Sequence, residues 1–428
     1  MCSFIDKIFS KELLNQGYYS FLFAFLSVVV MPIHVQYLPP FMIMWCLSWI
    51  VENLLRRNEK WNLKITYKVL FFLFISYYAW QAVGLLYTYD IKMGFSNLFG
   101  RLSLIMFPLV LIFPGEMIIN KARILIRTFA VSTFLYMFFC FGYALCRSID
   151  LSNGILTFNP HLIEYPWLNY FYSAELTLAQ HPSYISMYVL LSVFICFESW
   201  FDHSSKIRQR LLWLISGTLL LLMQYFISSR AGILASLILV PLYFLFKVKK
   251  SRKNWITWSV IIVVFICVIP LLLKNARVDS LFDEVFNRQV GHESQKDPRF
   301  LIWKSTLKIS QENFLFGVGI GDSRTELVKE FKQIGEEKMA NERFNAHNQF
   351  LEVLLESGII GLLIFLGIFG YMISIAFSEK NQLYGLFIII IFGFFMFETI
   401  LYRLAGVSFF SLFSFLLLHI PKNNAEIN

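Results

Sequence analysis

Apolar residues come in blocks of about 18 or more along most of the chain, separated by short polar stretches. A helix of that length crosses the ~30 Å hydrocarbon layer of a bilayer. The blocks predict about twelve helices, near 18–35, 37–55, 66–87, 96–113, 123–146, 183–201, 210–228, 230–247, 255–273, 350–377, 382–399 and 404–420. The first two are short and punctuated by Pro32, Pro39 and Pro40. Longer polar stretches interrupt the rhythm at about 147–182 and 274–349. In the second, apolar residues at 300, 301, 303, 307 and 309 predict an amphipathic helix resting on the membrane surface. Pro298 suits the start of that helix, with Asp297 as its cap, and "GVGIG" (317–321) breaks it. No internal repeat or low-complexity tail appears. The expected organisation is one polytopic domain over 1–428, with 274–349 as an embedded loop subdomain.

Composition removes the soluble alternative. Hydrophobic residues make up 57% of the 428 positions and charged residues only 15%, against roughly 25% charged in soluble domains. The fold class expected is therefore an all-α integral membrane protein. A net charge of +9 could suggest a nucleic-acid partner, but the positive residues gather in short loops between the spans. "RRNEKWNLK" (56–64), "NKARILIR" (120–127), "KIRQR" (206–210) and "KVKKSRKN" (247–254) fall on one side of the alternation. The positive-inside rule makes that side cytoplasmic, together with both termini, and puts 147–182 and 274–349 outside. The first apolar run lacks a small-residue cleavage site and reads as a retained span. The six cysteines form no CxxC pair and lie mostly inside spans, so they read as buried hydrophobes.

Several polar residues sit at the extracytoplasmic mouths of these spans. Arg230 occupies a tight turn, costly unless it meets an anion, although an interfacial arginine can also snorkel to water. Arg299 opens the amphipathic helix, where an ordinary solvated arginine is the plain alternative. His347 precedes the apolar run of 350–377 and can accept a proton near neutral pH, though a lone histidine is more often structural. Glu352 and Glu356 lie one helical turn apart and repel, so an arginine partner or a retained proton is expected. Their expected role is to orient the histidine or an arginine. Arg101, His181, Asn348, Glu398 and Arg403 fall on the same side as supporting candidates. Two arginines beside a base suit a diphosphate, because guanidinium binds phosphate oxygens bidentately and keeps its charge. No HExxH, DxD or EF-hand pattern is present, and His161 and His181 stand apart from carboxylate pairs, so no metal or other cofactor is expected. "GVGIG" follows a helix rather than a strand and is not read as a dinucleotide fingerprint.

The chain resembles the O-antigen ligase/polymerase family of bacterial envelope glycosyltransferases. "SSRAG" (228–232), "PRFLIWKSTLKISQENFLFGVGIG" (298–321) and "AHNQFLEVLLESGIIGLLIF" (346–365) carry the resemblance. "HPSYISMYV" (181–189) and "FETILYRLAGVSFF" (397–410) add to it. It implies an all-helical, GT-C-like enzyme that moves a glycan from an undecaprenyl-diphosphate carrier to an acceptor, without a metal, at the periplasmic face of the inner membrane. It further implies that Arg230 and Arg299 hold the donor diphosphate, that His347 activates the acceptor hydroxyl, and that Glu352 and Asn348 support it. The acceptor is lipid A–core for a ligase and a second lipid-linked glycan for a polymerase; a protein acceptor is a third variant. The alternative from another class is a polysaccharide or glycolipid transporter. That fold should show two similar halves and a midplane site, and the sequence has no such symmetry.

Overall fold

Inside a bilayer every backbone N–H and C=O must be satisfied within the protein, which long apolar segments achieve as helices. The computed structural model describes residues 16–55, 65–151, 156–162, 165, 168–178, 180–247 and 298–420. The helices described up to residue 247 are α1 (Tyr18–Ile33), α2 (Leu38–Leu55), α3 (Ile65–Val83), α4 (Ile91–Gly100), α5 (Ser103–Ile112), α6 (Glu116–Ser148), α7 (Ser173–Thr177), α8 (Pro182–Phe201), α9 (Ile207–Ile227) and α10 (Arg230–Lys247). From residue 298 come α11 (Pro298–Glu312), α12 (Ser323–Gln333), α13 (Glu337–Asn341), α14 (Gln349–Ser378), α15 (Gln382–Phe397) and α16 (Leu404–Leu416). Among the described residues seven helical segments are long and apolar enough to cross a membrane, and four shorter apolar helices join them. This is an all-α, multi-pass membrane protein. The expected spans coincide with these helices, except 255–273, which lies outside the described residues. The expected span 96–113 is broken into α4 and α5 by a turn at Arg101 and Leu102.

The chain divides into two compact units. One draws on Met1–Val28, Gln36–Leu125 and Ser294–Asn428; the other on Val29–Val35 and Ile126–Glu293. In the first, α14 packs along α3 and α15, and α5 packs against α16 and α3. Lipid offers apolar side chains no penalty, so helix association rests on close packing. Phenylalanine supplies much of it: Phe74 and Phe369 both stack on Phe410, with ring centroids 5.3 and 6.0 Å apart. In the second unit α8 is the centre, buried along nearly its whole length and packed on α9.

α14 is not a continuous helix. Gly358 (φ +63°, ψ −168°) breaks it and strands the carbonyls of the preceding turn. "GVGIG" repairs the break: Val318 N–H donates to Leu355 O (2.8 Å), Gly319 N–H to Glu356 O (3.1 Å), and Ile359 N–H to Phe314 O (2.8 Å). The Trp80 indole N–H takes Ser357 O at 2.9 Å. Irregular backbone is tolerated at membrane depth where protein satisfies it in this way. The glycine motif is therefore a backbone clamp. At Gly317, with φ +75°, a Cβ would stand 2.6 Å from the backbone of Leu355, Glu356 and Gly358. Gly317→Ala is expected to cost more than about 1 kcal/mol from the left-handed backbone alone, with the clash in addition. A thermal melt of the detergent-solubilised variant, set against Gly335→Ala, checks this. Gly335 shares the positive φ but has nothing within 4 Å of its Cβ position, so equal melting points would dismiss the clamp.

The amphipathic helix of the loop exists as α11, with a buried face that shares Leu301, Trp303 and Ile309 with the expected one. Ile302, Ser305, Thr306, Ile309 and Ser310 face inward, while Phe300 and Leu307 point out. Ile302 and Ile309 join Leu327, Phe331, Met339, Ala340 and Leu355 in a small core of α11–α14. Small hydroxyls satisfied by the helix's own carbonyls, such as Thr306 on Ile302 (2.7 Å), allow this close packing and carry no hydrophobic signal in the sequence.

Candidate active site

The polar opening of α14 is a set of backbone anchors. Asn348 caps the helix, its side-chain oxygen accepting from Phe350 N–H (2.9 Å) and Leu351 N–H (3.1 Å). Its amide nitrogen reaches Met396 O at 3.2 Å. Gln349 accepts Leu401 N–H at 2.7 Å, and Asn345 accepts His347 N–H at 3.0 Å. Glu352, fully buried, accepts Ala346 N–H (3.0 Å) and the Ser323 hydroxyl (2.9 Å). These bonds hold the loop that presents His347, whose φ of +46° lies in the left-handed region. Such a conformation costs a non-glycine residue about 1–3 kcal/mol and persists only where its surroundings impose it.

The imidazole packs edge-on against Phe344, with centroids 5.6 Å apart. Its Nδ1 lies 3.4 Å from Glu398 Oε2, within ion-pair reach but without hydrogen-bond geometry. Glu398 Oε1 in turn lies 3.7 Å from Arg299 Nη2 on the first turn of α11. One carboxylate thus stands between Arg299 and His347, all three side chains being 20–28% exposed. Glu398 belongs to the α15–α16 connection; Gln349 ties that connection, and Asn348 the last turn of α15, to the head of α14. The carboxylate nearest the His347 ring is therefore Glu398, while Glu352 acts on the backbone one residue earlier.

Glu356 takes another partner. The Arg101 guanidinium forms a fork on it, with bonds of 2.6 and 2.8 Å, and both side chains are buried. Arg101 thus sits in the core with the α14 break and makes none of the Arg299, His347 or Glu398 contacts. Arg403 is exposed at the N-cap of α16. Arg324, not singled out by the sequence, lies over the ring of Tyr402 at 4.1 Å. No spacing rule marks a single arginine in "GDSRTE", so only the fold brings it to this loop.

Arg230 and His181 belong to the second unit. Ser228 ends α9 in the left-handed region (φ +54°), donates its hydroxyl to Tyr172 Oη (2.6 Å), and Arg230 then opens α10. Gly232 lets α10 pass against Ser186 and Gln224, where a Cβ would overlap the Ser186 hydroxyl. Part of "SSRAG" is therefore helix packing. His181 caps α8, its Nδ1 accepting Ser183 N–H at 3.3 Å. Among the described residues no three His, Cys, Asp or Glu side chains converge as a metal site.

A multi-pass helical membrane protein with an Arg–Glu–His cluster on a polar loop is the class that fold and site define. Residues 215–366 match the family described as O-antigen ligase, a stretch that includes Arg230, Arg299, His347, Asn348 and Glu352. That match supports the resemblance to the O-antigen ligase/polymerase family, whose members are glycosyltransferase-like enzymes. No curated protein matches the chain.

Proposed function

We propose that the protein moves a glycan from an undecaprenyl-diphosphate carrier to a hydroxyl of lipid A–core, without a metal, at the periplasmic face of the inner membrane. The observation that carries this reading is the placement of Glu398 between Arg299 (3.7 Å) and His347 (3.4 Å). A diphosphate oxygen suits the guanidinium that now faces Glu398, since the planar fork matches phosphate and keeps its charge. Arg230 enters the proposal on sequence resemblance alone, as a second guanidinium for the donor. With Nδ1 turned to Glu398, His347 has Nε2 for the acceptor hydroxyl. As Nε2 takes the proton, the acceptor oxygen bonds to the anomeric carbon and the bond to the diphosphate breaks. Undecaprenyl diphosphate leaves with the electron pair, and the anomeric centre inverts. Glu398 then faces an imidazolium, whose charge it stabilises. The distribution of Lys and Arg between loops supports the periplasmic orientation.

The test is a deletion strain profiled for lipopolysaccharide and for undecaprenyl-linked glycan, complemented with wild type or Arg299→Gln. Bare core with accumulated long carrier-linked chains, relieved by wild type and not by Arg299→Gln, is the expected result. Core bearing a single repeat would make the acceptor a second lipid-linked glycan and the enzyme a polymerase. Full relief by Arg299→Gln would remove Arg299 from the reaction.

A further inference from the structure

The connection Glu398–Arg403 gathers buried polar atoms that make no hydrogen bond among the described residues. Among the described residues Gln349 Nε2, Thr399 Oγ1 and Arg324 Nε have no hydrogen-bond partner, and His347 Nδ1 faces Glu398 at 3.4 Å without hydrogen-bond geometry. Gln349 and Thr399 are 0% and 4% exposed, so water does not satisfy them from the surface. All four adjoin the same short segment. Gln349 Oε1 holds Leu401 N–H, Thr399 lies within the segment, His347 faces Glu398, and Arg324 covers Tyr402. Buried polar groups are usually paired, so exceptions gathered in one place leave donors and acceptors for an ordered water, an ion or a ligand.

Arg324 differs from Arg101, Arg127 and Arg299, each of which faces a carboxylate. Arg101 has Glu356, Arg127 has Asp202, and Arg299 has Glu398. Among the described residues Arg324 has no carboxylate; its guanidinium instead lies over the Tyr402 ring, with Cζ 4.1 Å from the centroid. A guanidinium held over an aromatic ring leaves N–H groups for an acceptor, and the ring limits its movement. The geometry points to a phosphate subsite: we infer that Arg324, held by Tyr402, binds a phosphate oxyanion of a substrate, with Gln349 and Thr399 supplying the neighbouring polar contacts. This rests on the transfer function proposed above and adds to it a cation beyond Arg230 and Arg299. The phosphate is either part of the donor diphosphate or a substituent of the acceptor.

Inorganic pyrophosphate is the probe, titrated against the purified full-length protein in detergent, with Arg324→Gln, Arg324→Lys and Arg299→Gln alongside wild type. Loss of a charge-assisted contact weakens binding about tenfold or more, and Arg324→Gln is expected to show that loss. Arg324→Lys keeps the charge without the flat fork and is expected to recover only part of it. A role confined to packing would lower the melting temperature of Arg324→Gln while leaving pyrophosphate affinity at the wild-type value, and that result overturns the inference. If Arg299→Gln weakens the probe and Arg324→Gln does not, only this inference falls. If neither does, the diphosphate reading of the whole site falls with it. Glycan transfer at varied donor and varied acceptor then separates the two sources. A KM increase in Arg324→Gln confined to the donor assigns the carrier diphosphate, and one confined to the acceptor assigns a phosphorylated acceptor. Unchanged KM for both substrates counts against the subsite.

Discussion

His347→Asn lowers glycan transfer by roughly 10²–10⁴-fold, the usual worth of a general base, while folded protein persists in the membrane. Asparagine is the informative replacement because it tolerates the left-handed backbone that His347 adopts at φ +46°. The anchors around it (Asn345, Asn348, Gln349 and Glu352) act on backbone groups, so they survive the change. The loop should keep its shape and lose only the imidazole. Transfer measured with carrier-linked donor and purified acceptor, beside a melting curve for each protein, decides the matter. Undiminished transfer by well-folded His347→Asn would leave the proposed base without a role. Glu398→Gln gives the companion measurement. It keeps the shape beside Nδ1 and removes the negative charge that would stabilise an imidazolium, so a smaller loss than that of His347→Asn is expected.

Arg101→Met destabilises the protein by about 3–5 kcal/mol, because it leaves the Glu356 carboxyl group without its partner in the core. Both side chains of this pair are at most 2% exposed, and their bonds are short and bidentate. Taking both charges away has the opposite logic. A well-packed apolar pair forgoes the Coulomb attraction and also the desolvation penalty, so Arg101→Met combined with Glu356→Met recovers most of the lost stability. Thermal unfolding of the two single variants and the double variant in one detergent forms the cycle. Additive losses in the double variant would mean that the two groups act independently. Recovered stability together with recovered transfer would confine the pair to holding the α14 break in place.

The parts of this fold readable in the sequence are those that depend on near neighbours along the chain. The helix expected over 350–377 is α14, observed as Gln349–Ser378. The one expected over 183–201 is α8, observed as Pro182–Phe201. Proline at the start of α11 and α8 marks their first turns for a local reason, its fixed φ and missing N–H. Periodicity gave part of the packed face of α11, with Ile309 in the core and Leu301 and Trp303 against it; it missed Ser305, Thr306 and Ser310, which pack inward as small residues rather than apolar ones.

The residue types of the candidate site were equally legible: an arginine opening α11, a histidine before α14, and acidic residues that needed partners. Which acid meets which base was not. Glu352 is the nearer carboxylate to His347 along the chain, yet the one facing the ring is Glu398, brought there by the return of the chain between α15 and α16. The arginine partner of Glu356 lies 255 positions away, and Arg324 meets Tyr402 through the packing of α12 beside the same connection. "GVGIG" reads in the sequence only as the break after an amphipathic helix; that it clamps a second, broken helix is visible only once residues 314–319 and 355–359 are side by side. By itself the sequence determined an all-helical membrane chain and the chemistry at its polar mouths, because lipid forces every long apolar run to satisfy its own backbone. Only the tertiary structure decided the pairings, because the position of a charge relative to its partner is set by contacts between helices, and hydropathy along the chain carries no record of them.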